Sequence, residues 1–225
     1  MEYVVLHISH GTACKRRPAY KMTATTITIN NTGNPSSTAR NERDWLTNPT
    51  NPRQASFHIA VDERQAIECP LNENAWHAGD GSGNNSGNRT SIGIEICNSG
   101  NYAKTLDNAA ELVAKMLKER SWGTDRLRRH FDWSGKICPR FMYDGGRWIG
   151  WKAFITSVDA KLNQKEDVKL TEEVRINVNG KKVGVGGVEA GIRKVPIRLV
   201  AEALGMNIAW DATTKTVNIT TKEAV

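Results

Sequence analysis

An α/β fold with a second, small α+β domain is predicted by three features of the 225-residue sequence. Short segments rich in β-branched residues recur through the first half. Two long stretches carry apolar residues at helical spacing, and the composition changes near residue 160.

The strands come first. Thr26-Ile-Thr-Ile29, Ser56-Phe-His-Ile-Ala-Val61 and Ser91-Ile-Gly-Ile-Glu-Ile96 alternate or cluster β-branched residues as strands do. Residues 79–88 are rich in Gly and Asn, which tolerate positive φ, and read as a loop. That loop lacks the Lys-Ser/Thr ending of a phosphate-binding P-loop, which argues against nucleotide binding. From Thr105 to Arg120, Leu106, Ala110, Val113 and Leu117 recur at steps of four, three and four and form one apolar helix face. A second helix is expected from Arg147 to Lys161, with Trp148, Trp151, Phe154, Ile155 and Val158 on its buried side.

All four Cys, six of the seven Trp and 20 of the 31 basic residues lie in residues 1–160. The polar, charged stretch 161–173 reads as a linker, and residues 174–225 as the small domain. There, Val174-Arg-Ile-Asn-Val178 and Lys181-Lys-Val183 flank Asn179-Gly180, a strong hairpin signal. A helix follows Pro196 and stops at Gly205; residues 207–210 and 216–220 then form a second hairpin.

A hydrophobic content of 39% is enough for a packed core. No apolar run approaches the roughly 20 residues a membrane helix needs, so no transmembrane segment is expected. The opening Met-Glu-Tyr-Val-Val-Leu-His has no basic region followed by an apolar stretch and a cleavage site, so synthesis in the cytoplasm without a cleavable leader is expected. Cysteines 14, 69, 97 and 138 form no CxxC pair, which excludes a disulfide framework; Cys14, Cys69 and Cys97 are expected to be small buried side chains. The net charge of +7 favours an anionic partner. It divides into +4 for residues 1–160 (20 basic, 16 acidic) and +3 for the rest (11 basic, 8 acidic). That even spread, with no recognisable binding motif, argues against nucleic acid and suits diffuse attraction to a polyanion.

The stretch Arg129-His130-Phe-Asp-Trp-Ser-Gly-Lys136-Ile-Cys138-Pro139 holds the most chemical information. A His and a Cys eight residues apart across a Gly/Ser/Asp turn bring imidazole and thiolate to one divalent metal, or are a satisfied His and a buried thiol. Glu95, alone among apolar neighbours, is a candidate general base or an outward-facing strand residue.

Residues 26–34, Ser56-Phe-His-Ile-Ala-Val-Asp62, Asn74-Ala-Trp-His-Ala-Gly-Asp-Gly81, Ser91–Ile96 and His130–Pro139 occur in the order and spacing of one family. Over residues 15–160 the chain resembles the zinc-dependent N-acetylmuramoyl-L-alanine amidases, which include phage endolysins and bacterial autolysins and are related to peptidoglycan-recognition proteins. The resemblance implies a central mixed β-sheet flanked by helices and a shallow groove holding Zn2+. It implies bacterial peptidoglycan as partner, acted on outside the cell at the wall. The implied reaction is hydrolysis of the amide between N-acetylmuramic acid and the first L-alanine of the stem peptide.

The family's ligands are two His and one Cys. His130 and Cys138 match two of them, and Asn30 stands where the family has its first His. An amide carbonyl is a weaker zinc donor than imidazole, so the alternative is a wall-binding protein with impaired turnover. The resemblance assigns Glu95 as base and Lys136 as the cation that stabilises the developing oxyanion. Where some branches carry a Tyr, this chain has Phe57, which puts more weight on Glu95. His77 is expected to line the groove as a substrate contact, and His58 to be a hydrogen-bonded core residue. Residues 174–220 resemble the small stalk domain named after the N-terminal region of copper amine oxidases, with a role in wall targeting or as a spacer or dimerisation unit.

Overall fold

The computed structural model describes residues 1–164, 173–189, 192–211, 213–214 and 216–221. The chain forms two compact units, Met1–Gln164 and Lys165–Val225.

The first unit is built on a six-stranded mixed sheet. In chain order its elements are β1 (Glu2–Val5), β2 (Thr26–Asn31), α1 (Ala39–Trp45), β3 (Ile59–Val61), β4 (Gln65–Glu68), α2 (Gly87–Thr90), β5 (Ser91–Ile96), α3 (Tyr102–Glu119), β6 (Leu127–Arg129), α4 (His130–Ser134) and α5 (Ile149–Leu162). The strand order is β1-β4-β3-β5-β2-β6. Only β3 and β4 run antiparallel; every other neighbouring pair is parallel.

Period-two alternation divides this sheet chemically. Ile27 and Ile29 of β2, Ile92, Ile94 and Ile96 of β5, and Ile59 and Val61 of β3 join one core with Ala110, Val113 and Leu117 of α3 and Phe154 and Val158 of α5. The intervening residues Thr28, Asn30, Gly93 and Glu95 turn to the opposite face. There a smaller core of Ala39, Leu46, Phe57, Ala60, Ile67, Cys69 and Cys97 seats α1. Both central strands are thus covered on two sides, as parallel strands require.

Local chemistry explains the helix starts. Thr38 and Asn41 form a reciprocal capping box at α1, and the Asn101 side chain accepts from Lys104 N at α3. The segment after α1 is held by Arg16, which is 1% exposed. Its guanidinium donates to the carbonyls of Leu46 at 3.0 Å, Asn48 at 3.2 Å, Arg53 at 3.0 Å and Asn51. A buried charge is tolerated when its donors are satisfied in this way.

Both expected long helices form, with α3 starting three residues earlier than its apolar pattern and α5 running through Leu162 into the expected linker. Residues 165–172 of that linker lie outside the described residues. Three short strands, β1, β4 and β6, were not legible in the sequence, and the strand expected over 56–61 is ordered as a strand only at Ile59–Val61. Cys69 and Cys97 are buried; Cys14 is half-buried with φ 57°, at a kink that keeps its thiol near the surface.

The second unit contains β7 (Glu173–Val178), β8 (Lys181–Glu189), β9 (Ile192–Lys194), α6 (Ile197–Ala203), β10 (Met206–Asp211) and β11 (Thr216–Thr221). Strands β7, β8 and β9 make a meander, and β10 and β11 a hairpin. The Asn179-Gly180 turn has φ values of 50° and 79°, the positive pair that a two-residue hairpin turn demands. Gly205 ends α6 at φ 71°. Strand β9 is an addition to the expected hairpin, helix, hairpin order. No helix among the described residues is long and apolar enough to cross a membrane.

Candidate active site

Parallel pairing of β2 with β5 places Asn30 directly beside Glu95 on the face away from α3 and α5. The turn after α4 then brings in the His–Cys stretch. Phe131 N–H donates to Cys138 O at 3.0 Å, and Asn31 N–H donates to Cys138 Sγ at 3.4 Å. Trp133 Nε1–H donates to Thr28 Oγ1 at 2.8 Å, fastening α4 to β2. The Cys138 thiol lies 4.0 Å from Asn30 Oδ1. Residues 108 positions apart therefore share one site.

Glu95, His77, His130, Lys136 and Cys138 line one cavity of about 530 Å³. Asn30 is 1% exposed beneath it. Glu95 is half-buried, and its carboxyl is pushed up to about 8 by burial and by the Glu42 carboxylate, with the Lys136 ammonium opposing. Lys136 itself is exposed at the rim. Burial brings His130 down to about 4, so its imidazole is neutral near pH 7. Burial and the Glu95 carboxylate push the Cys138 thiol up to about 11.

His77 is more enclosed than its loop setting suggests. The ring is 4% exposed and packs edge-on against His58 at 5.4 Å, and its Nε2–H donates to Ser91 O at 2.9 Å. Asn88 holds the adjoining backbone by accepting from His77 N at 2.7 Å and Ala78 N at 2.8 Å. Burial lowers the His77 pKa well below the usual range, so the ring is neutral, and Nδ1 is a buried acceptor with no partner among the described residues. His58 is a fully engaged core residue, accepting from Gly93 N–H at 2.8 Å through Nδ1 and donating from Nε2 to Glu73 O at 2.9 Å.

The donor set bears directly on zinc. Among the described residues no three His, Cys, Asp or Glu side chains gather to hold a metal ion. What converges is one neutral imidazole, one thiol that keeps its proton until a cation displaces it, and one amide. Asn30 Nδ2 is buried with no partner among the described residues, and Oδ1 faces the Cys138 thiol. This set fits a zinc ion through two strong donors and one weak neutral oxygen.

Two contributors gave no sequence signal. Glu42 projects from α1 into the same cavity, half-buried, with burial raising its pKa. Asn31 joins β2 to its surroundings: Nδ2 donates to Tyr102 Oη at 3.1 Å and Ile96 O at 3.4 Å, and Oδ1 accepts from Phe141 N at 3.4 Å. Their partners are remote in sequence, and no spacing rule reports such pairings.

Comparison with known proteins agrees with this architecture. The N-acetylmuramoyl-L-alanine amidase family profile matches residues 1–141, and that of the copper amine oxidase N-terminal domain matches residues 177–225. The chain is 43% identical over 182 residues to the N-acetylmuramoyl-L-alanine amidase CwlA of Bacillus subtilis, covering 77% of this chain and 65% of that protein. It is 49% identical over 147 residues to XlyB of the same organism, covering 63% of this chain and 44% of XlyB. The chain thus spans less than two thirds of the length of either relative. Among solved structures, the catalytic domain of XlyA superposes with a TM-score of 0.62 at 37% identity, covering 70% of this chain and 99% of that one. PlyL gives 0.60 at 37%, covering 72% and 99%. With a profile matched across most of its length and a catalytic-domain fold shared almost end to end, this chain belongs to the N-acetylmuramoyl-L-alanine amidase family.

Proposed function

We propose that the chain is a peptidoglycan hydrolase that acts at the bacterial cell wall and cleaves the amide between N-acetylmuramic acid and the first L-alanine of the stem peptide. The observation that carries this reading is the gathering of Glu95, His130, Lys136 and Cys138 around one cavity in a chain of this family.

His130, Cys138 and the Asn30 carbonyl would hold zinc. When bound, zinc supplies a polarised carbonyl and a water acidic enough to ionise near neutral pH. Glu95 would accept the proton of the attacking water, with the Lys136 ammonium favouring its carboxylate form against burial. Lys136 sets its ammonium at the cavity rim, where negative charge develops on the tetrahedral oxygen. His77 stands in the cavity wall, its ring held by the Nε2–H bond to Ser91 O, and would contact the substrate there. The second unit serves as a wall-targeting module.

The test is digestion of purified walls. The expected result is release of N-terminal L-alanine amine with no new reducing sugar ends. New reducing ends, or no amine release with zinc supplied, would overturn the reading.

A further inference from the structure

Hydrolysis of an amide puts three heteroatoms on the attacked carbon: the oxygen that arrives with water, the carbonyl oxygen and the amide nitrogen. Glu95 serves the first and Lys136 the second. The nitrogen is the atom that ends with positive charge, because cleavage turns an uncharged amide into the N-terminal ammonium of the released peptide.

Glu42 is the other carboxylate on the wall of this cavity. It stands on α1, where the remaining charged side chains are already engaged. Arg40 Nε donates to Asp44 Oδ2 at 2.9 Å, and Arg43 donates to Leu6 O and His7 O, each at 3.0 Å. Glu42 itself is half-buried and has no ion-pair partner among the described residues, although Arg53 and Lys136 line the same cavity. Its one polar partner is the Ser37 hydroxyl, which donates to it. Ser37 is fixed in turn, being 6% exposed with its carbonyl accepting from Ser99 Oγ at 2.8 Å. The Glu42 carboxyl is therefore held at the wall. Burial raises its pKa, and its charge acts on Glu95, so the two carboxyls lie within electrostatic reach of each other. A half-buried carboxylate beside a second one, with no counter-ion, is costly until a cation arrives.

Resting on the amidase reading, we propose that Glu42 is a further catalytic residue, whose carboxylate receives the nitrogen of the first L-alanine as that nitrogen becomes an ammonium. The carbon–nitrogen bond breaks with its electron pair passing to nitrogen. The proton that Glu95 accepted from water moves to the same nitrogen, giving a carboxylic acid and an amine. Transfer of the acid's proton then leaves a carboxylate and an ammonium, with water as the only co-reactant. Glu42 is unchanged in this sequence. It favours cleavage by holding negative charge where positive charge develops.

Calorimetry of the full chain in chelator, where the amine has no metal to bind, tests this without turnover. The probes are a free stem peptide beginning with L-alanine and the same peptide with its terminal amine replaced by hydroxyl. At about pH 6.5, where an α-amino group is protonated, wild type is expected to prefer the amine on the order of tenfold. Glu42→Gln, which can still bond Ser37, should bind both peptides equally and keep wild-type affinity for the hydroxyl form. Asp44→Asn, which removes an exposed carboxylate from the same helix, should keep the preference. No binding or no preference in wild type, or a preference retained by Glu42→Gln, would overturn the assignment. Equal weakening of both peptides by Glu42→Gln, or loss of the preference in Asp44→Asn, would overturn it as well. Amine release from walls by a chain without this preference overturns the role of Glu42 alone. A Glu42-dependent preference without amine release from walls supports the ammonium seat and overturns the amidase reading.

Discussion

Asn30 is the residue on which the proposed metal chemistry turns. Its amide meets the Cys138 thiol at 4.0 Å where an imidazole would give zinc a stronger donor. Asn30→His is expected to tighten zinc by roughly tenfold or more, about 1.4 kcal/mol, read as zinc retained per chain after dialysis against a graded chelator. Equal retention by both chains would contradict the donor argument. Glu95 supplies a second test through stability. In the unfolded chain its carboxyl titrates near 4.5, and in the metal-free fold near 8. Between those values the unfolded chain has released a proton that the fold still binds, so stability falls as pH rises. The contribution is complete below pH 4.5 and lost as pH rises through 8. Glu95→Gln does not titrate, so its Tm advantage over metal-free wild type should grow from pH 5 to 8; a constant offset would show that Glu95 is not held neutral. The sequence singles out His130, Cys138 and Glu95 as candidates by the turn joining His to Cys, by an acidic residue among apolar neighbours, and by the family resemblance. Glu42 and Asn31 were not legible, since α1 and the Cys138 turn give them meaning only after folding.

At the scale of elements, β5 does the most to position the site. Glu95 stands on it two residues after Gly93, whose missing side chain leaves room for the His77 ring. A Cβ at Gly93 would lie 2.4 Å from His77 Cγ, and the ring is held on its other sides by His58 and Ser91. Gly93→Ala is therefore expected to cost about 1–3 kcal/mol in chemical denaturation, the range for overpacking a closed site. A loss below a few tenths would show that His77 moves freely. The long helices were readable because 3.6-residue periodicity accumulates over many turns. Strands β1, β4 and β6 were not, because three or four residues carry too few alternations. β6, Leu-Arg-Arg, is a strand by virtue of its pairing with β2.

For the whole molecule, the composition break near residue 160 lies close to the division between Gln164 and Lys165. The first unit contains its own sheet, both cores and every proposed catalytic residue. A chain ending at residue 164 is expected to cleave soluble muropeptides with wild-type kcat/KM and to sediment less with purified walls. Undiminished sedimentation would remove the targeting role proposed for the second unit. What the sequence could not convey at this scale is strand order. β2 lies between β5 and β6, partners that follow it by more than sixty residues, and nothing local announces that neighbourhood.

That placement of β2 also bears on when the site can form. Asn30 is synthesised before its neighbours in the fold, Glu95 and Cys138, and parallel pairing across such distances is slow to form. A nascent chain that has not yet reached Cys138 holds no complete site, whatever local structure it has gained. The candidate site of a protein with this topology is complete only when the turn that carries Cys138 has closed against β2.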